Sequence, residues 1–184
     1  RERKSRGGRA RATRSLMLAV SRDPIFTPRL ELRRTRLEDA GAMFEALRDP
    51  KMYAYLPRNA PRDIAEVEAR FARVMQEIAP DRADQWLNWT VWLHERAQPL
   101  GMVEATVRPD HSVSIGYQFD PRIWRRGYAR EAVGAMLDHL ETHGARAFEA
   151  TIDIRNTASR ALAASLGFTH ARTEGIDETW LRTR

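Results

Sequence analysis

At 184 residues with 42% hydrophobic side chains, the chain is long enough for one domain with a substantial core and short for two. It contains no cysteine, which excludes disulfides, thiolate metal sites and a cysteine nucleophile and leaves the redox compartment open. The net charge of +6 is carried by residues 1–16, with seven basic groups against Glu2 alone, so the remainder is formally neutral and has no excess positive field for nucleic acid.

That basic, Gly/Ser/Ala-interrupted segment has no apolar period and is expected to be a disordered tail, with the folded domain spanning 17–184. Two readings of the tail stand: upstream or vector-derived sequence ahead of a natural start at Met17, which we expect, and a nucleic-acid-binding arm. The apolar run Leu16–Val20 is shorter than the roughly 7–15 residues of a signal-peptide core, and no later stretch approaches a membrane span. A soluble, cytoplasmic protein is expected.

Strict alternation in Arg29-Leu-Glu-Leu-Arg33 predicts a strand. Thr35 and Glu38 have capping-box spacing ahead of Leu37, Ala40, Met43, Phe44 and Leu47, which predicts a helix that Asp49-Pro50 ends. A second helix is expected from Pro61 to Ile78, with Ile64, Val67, Phe71, Val74, Met75 and Ile78 inward. The connection between them, 51–63, is long and carries Tyr53 and Tyr55. Alternating, aromatic Leu87–Leu93, then Leu100–Arg108 and Ser112–Phe119, read as three consecutive antiparallel strands.

Ser112–Phe119 runs into a basic glycine turn, Arg125-Arg126-Gly127-Tyr128-Ala129-Arg130, and then a helix with Ala132, Val133, Met136, Leu137 and Leu140 on one face. A helix start leaves main-chain N–H groups unpaired at the positive end of the dipole, and a glycine there lets phosphate oxygens approach, so the turn is an anion-binding candidate. The other reading is an ordinary strand-to-helix connection with solvated arginines. Strand 147–154, helix 157–166 and strands 168–173 and 178–183 follow; strand 147–154 should lie parallel to 112–119 because a helix crossover joins them. His139 and His143 sit one turn apart, a spacing that can bind zinc, but no third ligand is apparent, so we expect a solvated helix end and no metal.

Asp120-Pro-x-x-Trp-Arg-Arg-Gly-Tyr-Ala129, followed by Asn156-Thr-Ala-Ser159 and Leu166-Gly-Phe168, resembles the GCN5-related N-acetyltransferases, nearest the ribosomal-protein N-terminal acetyltransferase (RimJ/RimL-like) branch. Thr27-Pro-Arg-Leu-Glu-Leu-Arg33 and Tyr55-Leu-Pro57 resemble the opening of the same branch, so the resemblance covers nearly everything after residue 27. It implies an α/β fold: one central, mixed but mostly antiparallel twisted sheet of about seven strands, about four flanking helices, and a parallel pair splayed at the cofactor site. The implied function is direct transfer of acetyl from acetyl-CoA to a small-molecule or peptide amine by a monomer or homodimer. An acyl-CoA-binding module without catalysis is the alternative.

The family's pyrophosphate motif, Gln/Arg-x-x-Gly-x-Gly/Ala, is met at Gly127 and Ala129 but has Trp124 in its first position. By the same resemblance, the main chain of Tyr117, Gln118 and Phe119 pairs with the pantetheine arm. Asn156 hydrogen-bonds it, or only caps its helix. The acceptor pocket draws on Tyr53 and Tyr55, which can equally be tyrosines packed on the core. Relatives place a tyrosine acid where Ala163 stands, so Ser159 or a water is the candidate donor to the departing thiolate. Relatives place a glutamate base where Ser114 stands, so Glu104 is the candidate base, with Glu149 and Asp153 as alternatives.

Overall fold

The structure, a computed structural model, describes residues 17–77 and 83–183; the expected tail and Ile78 lie outside the described residues. Its strands are β1 (Ile25–Phe26), β2 (Leu30–Arg34), β3 (Gln85–Leu93), β4 (Gln98–Val107), β5 (Ser112–Phe119), β6 (Ala147–Asp153), β7 (Thr169–Glu174) and β8 (Asp177–Thr183). Its α-helices are α1 (Ala40–Leu47), α2 (Ile64–Val74), α3 (Tyr128–Thr142) and α4 (Thr157–Ser165). The strands form one mixed sheet in the order β1-β2-β3-β4-β5-β6-β8-β7, eight rather than about seven. The addition is β1, whose two residues are too few to show an alternation.

Alternation along the central strands sends residues to two cores. Leu87, Trp89 and Val91 of β3, Val103, Ala105 and Val107 of β4, and Val113 and Ile115 of β5 pack against Val133, Met136, Leu137 and Leu140 of α3. On the opposite face, Trp92 and Met102 meet Met43 and Leu47 of α1, Met52 and Tyr53, and Val67 and Phe71 of α2. Each fully buried large side chain of this kind contributes about 1.5–3 kcal/mol. Among the described residues no helix is long and apolar enough to cross a membrane.

Two local expectations fail near α1 and α2. The Thr35 capping box does not form: the Thr35 N–H is drawn to the Asn88 carbonyl at the end of the sheet, its hydroxyl has no partner, and a short 3-10 turn at Leu37–Asp39 leads into α1 instead. α2 is shorter than expected, is capped by Asp63 accepting from the Glu66 N–H, and buries Val67 and Phe71, while Ile64 and Met75 are exposed.

β5 and β6 are parallel, but only Ser112–Ser114 pair, with Ala147–Glu149. Beyond that point β6 keeps to β8 along its whole length and parts from β5. On its other side β5 stays with β4 up to Gly101 opposite Phe119. The pairing of Val91 with Gly101 and Trp92 with Pro99 leaves Leu100 as an extra residue in β4, a bulge level with the end of β5. Bulges bend a strand and increase its right-handed twist, and this one lies at the level where β5 no longer pairs with β6.

Gly101 permits this close approach: a Cβ there would lie 2.1 Å from the Gln118 carbonyl oxygen and 2.8 Å from the Phe119 Cα, both main chain. Gly101→Ala is therefore expected to force β4 and β5 apart and lower stability by about 3 kcal/mol in chemical denaturation; an unchanged midpoint would show that the strands are not in this contact.

Candidate active site

The sharp turn out of β5 is built from its sequence. Asp120 accepts from the Arg122 N–H to start a short 3-10 turn, and its carboxylate also holds the Arg122 guanidinium. Arg125 (φ +63°) and Gly127 (φ +80°) are left-handed, and Gly127 is the N-cap of α3. The main chain from Arg125 to Gly127 is thus curled and exposed, and the first N–H groups of α3 beyond it have no intrahelical acceptor. Arg125, Arg126 and Arg130 are exposed beside it.

Trp124, the residue that departs from the expected motif, donates its indole N–H to the Phe119 carbonyl at 2.7 Å and ties the turn back onto β5. Arg29, which the sequence did not single out, braces the turn from outside. Its guanidinium donates to the Arg126 carbonyl at 3.0 Å, pairs with Glu131 at 2.6 Å and lies 4.4 Å over the Tyr128 ring. A groove of about 590 Å³ borders this helix start, lined by Arg29, Gly127, Arg130, Gly134, Ala135 and Leu166, among others.

Along β5, the Gln118 carbonyl faces β4, so alternation turns the main-chain groups of Tyr117 and Phe119 toward the gap left by β6. The Phe119 carbonyl is already taken by Trp124. The Tyr117 side chain crosses to α4, where its hydroxyl donates to the Ser159 carbonyl at 3.3 Å; burial raises its pKa, so the phenol stays protonated. Asn156 caps α4 through Oδ1, which accepts from the Ser159 N–H at 3.1 Å, leaving its amide N–H groups outside that bond.

Across the sheet the Glu104 carboxylate lies over Gly116, where a Cβ would come within 2.6 Å of it, and 3.8 Å from Arg70. The alternative carboxylates are otherwise engaged. Glu149 pairs with Arg108 at 3.2 Å, and hydrogen bonds from Arg155 hold the Asp153 pKa down to about 2. Tyr53 is buried in the α1–α2 core with its hydroxyl beside Arg70 and Gln118, whereas Tyr55 is 43% exposed with the Arg155 guanidinium 5.9 Å over its ring. The 51–63 connection therefore spans the gap, reaching β5 through Arg58 on Gln118 and the end of β6 through Tyr55 on Arg155.

His139 is not solvated as expected. Its ring packs edge-on against Trp89, burial lowers its pKa, and its carbonyl accepts from His143 Nδ1 at 2.7 Å.

A splayed parallel pair beside a glycine-capped helix start is the arrangement in which a main-chain edge and a phosphate cradle adjoin. A family model described as an acetyltransferase (GNAT) domain matches residues 29–169. The chain belongs to the GNAT N-acetyltransferase family. It is 26% identical over 151 residues to an uncharacterized N-acetyltransferase, p20 of Bacillus licheniformis, covering 79% of this chain and 82% of that one.

Among solved structures, a GNAT-family acetyltransferase from Bacillus anthracis matches with a TM-score of 0.74 at 19% identity, over 88% of this chain and 98% of its own. The Salmonella typhimurium acetyltransferase that modifies the N-terminal serine of ribosomal protein L7/L12 gives 0.74 at 17%, over 88% and 99%. RimL in complex with coenzyme A gives 0.75 at 17%, over 88% and 98%. At these identities the likeness is one of fold.

Sequence reasoning missed Arg29, Arg58, Arg70 and the Tyr117 hydroxyl. For Tyr117 the alternation of β5 was a usable signal, since it sends that side chain to the α3–α4 face. Within this GNAT site the Trp124 anchor is open to a stability test. Trp124→Phe keeps the ring volume nearest the chain and loses the N–H, and is expected to cost about 1 kcal/mol in denaturant unfolding; equal stability would remove the anchor.

Proposed function

We propose that the protein is an acetyl-CoA-dependent N-acetyltransferase that passes acetyl directly from thioester to amine. The observation that carries this reading is the parting of β5 from β6 after Ser114, immediately before the glycine-capped start of α3. The pieces fit the shape of the co-substrate: anionic phosphates at the Arg125–Arg130 turn, and an extended arm along the free edge at Tyr117. The neighbour crystallised with coenzyme A has the same fold, which supports the assignment.

In this reading acetyl-CoA supplies an activated acyl group and a thiol leaving group. Gly127 keeps the cradle open, since its φ disfavours a side chain. The N–H groups of Tyr128 and Ala129, with Arg125, Arg126 and Arg130 around them, receive the phosphates. Tyr117 and Phe119 offer the strand edge, with the Phe119 carbonyl reserved for Trp124 and the Gln118 main chain turned to β4, and Asn156 offers its amide N–H. Glu104 takes the proton from the attacking amine. A hydroxyl at the first turn of α4, Ser159 or Tyr117, donates toward the developing thiolate. Tyr53 and Tyr55 line the acceptor side.

The acceptor is an amine, small or peptidic; the L7/L12 N-terminal serine modified by the Salmonella relative makes a peptide terminus one candidate. We further propose that the reaction takes place in the cytoplasm, and that acceptor recognition involves neither nucleic acid at the folded part nor a membrane.

Acetyl-CoA at a hundred times its Kd is expected to stabilise the native state by about 2.7 kcal/mol, seen as a rise in Tm. Gly127→Val should lose most of that rise relative to its own unliganded Tm. No rise for wild type at millimolar acetyl-CoA would remove the reading.

For the chemistry, Glu104→Gln should lower kcat for thiol release about 100-fold with little change in acetyl-CoA affinity. Tyr117→Phe and Ser159→Ala, measured side by side, should differ: the one that supplies the proton loses kcat about tenfold. Full kcat in Glu104→Gln would place the base elsewhere, and full kcat in both hydroxyl variants would leave the donation to water.

A further inference from the structure

On the α2 face of β5, two guanidinium groups converge on one neutral oxygen. Arg58 donates to Gln118 Oε1 at 2.7 Å and Arg70 donates to the same oxygen at 2.8 Å. A side-chain carbonyl supplies a dipole, not a charge, so two cations meet there with incomplete compensation. Among the described residues the acid facing them is Glu104, 3.8 Å from Arg70 and itself 38% exposed. Burial lowers the proton affinity of Arg70, and the charge of Arg58 lowers it further. Both arginines use Gln118 as acceptor, which fixes the amide orientation and leaves its Nε2 pointing elsewhere.

The polar groups around the pair are unfinished. Gln118 is 5% exposed and Tyr53 7%, and although the Tyr53 hydroxyl lies beside Arg70 and Gln118, neither it nor Gln118 Nε2 makes a hydrogen bond of full geometry. An unpaired buried donor is costly. Tyr53, Arg58 and Arg70 therefore present donors around one spot at Gln118, and Glu104 is the carboxylate at its edge.

We infer that this spot is the seat of a carboxylate on the acceptor, so that the acceptor class is a small amino acid-like amine whose carboxylate lies against Arg58 and Arg70 while its amine lies toward Glu104. The inference rests on the acyl-transfer reading above. A carboxylate matches the donor set in both charge and number, because its two oxygens accept several hydrogen bonds and neutralise the charge that Gln118 leaves uncompensated. Arg70 bonds Gln118 and stands close to Glu104, so the anion seat and the base are one guanidinium apart, the span of an amino acid's two charged ends. An amine alone, without an anion, would bring a third positive charge to the pair.

The test is thiol release from acetyl-CoA with standard L-amino acids, their carboxamides and the matching decarboxylated amines. The expected result is that at least one free amino acid is preferred over its amide and its decarboxylated amine by about tenfold or more in kcat/KM. Arg58→Gln, at an exposed loop position, should shrink that preference toward unity, and Arg58→Lys should restore part of it. Equal use of acid and amide, or a preference unmoved in Arg58→Gln, would overturn the inference. If no amine in the panel turns over, N-acetylated amino acids and their amides are titrated calorimetrically into the coenzyme A-loaded enzyme. Tighter binding of the acids, lost in Arg58→Gln, supports the seat, and equal or absent binding overturns it. Failure of acetyl-CoA to shift the Tm would strike the underlying acyl-transfer reading instead, so the two failures are distinguishable.

Discussion

The arrangement depends on a sheet that stops pairing partway along one interface. Main-chain N–H and C=O groups are obligatory hydrogen-bonding groups, and a strand edge inside a fold is normally filled by a neighbour. Here β6 is held by β8 over its full length while β5 is held by β4, and the two halves of the sheet agree only at Ser112–Ser114. The bulge at Leu100 and the close approach at Gly101 lie level with the end of β5, where β6 no longer pairs with it. What opens between them is an unpaired edge at the carboxyl end of two parallel strands, the place where open α/β sheets bind ligands.

Side chains rather than main chain then bridge the opening. Tyr117 reaches the first turn of α4 on one face, and Arg58 and Tyr55 reach β5 and the end of β6 on the other. These are single hydrogen bonds and a ring contact, each worth of the order of 1 kcal/mol, far weaker than a strand ladder. A gap joined this way can exchange its bridging contacts for those of a bound chain at small cost, which a continuous ladder could not.

The regular elements were legible because their periods are strong: alternation in β3 to β5, and the 3.6-residue stripe of α3. Gly127 was legible for a local reason, a residue without a side chain among arginines at a helix start, while its left-handed φ became visible only in the structure. The Thr35 box misled because its spacing is also local while the competition for its N–H came from Asn88, fifty-three positions away in sequence and adjacent in the sheet. Trp124 looked like a defect in the motif because a motif lists positions and not partners; its indole is aimed at a carbonyl five residues back. Arg58 and Arg70 were illegible for the same reason in stronger form, since nothing in a sequence marks two arginines on a loop and a helix as sharing one glutamine on a strand.

The period of two in β5 explains how one short strand serves both faces of the gap. Tyr117 and Gln118 are neighbours, and successive side chains of a strand point to opposite faces. Tyr117 falls on the α3–α4 face with Asn156 and Ser159, while Gln118 falls on the α1–α2 face with Tyr53, Arg58 and Arg70. Glu104 reaches the second face from β4 because it stands opposite Gly116, which has the same parity as Gln118 and no side chain to cover it. A one-residue slip of β5 would exchange the two sets at once. The contact of the Gln118 carbonyl with Gly101 opposes that slip, so the register that separates the two faces is held by a close approach beside the place where the sheet opens.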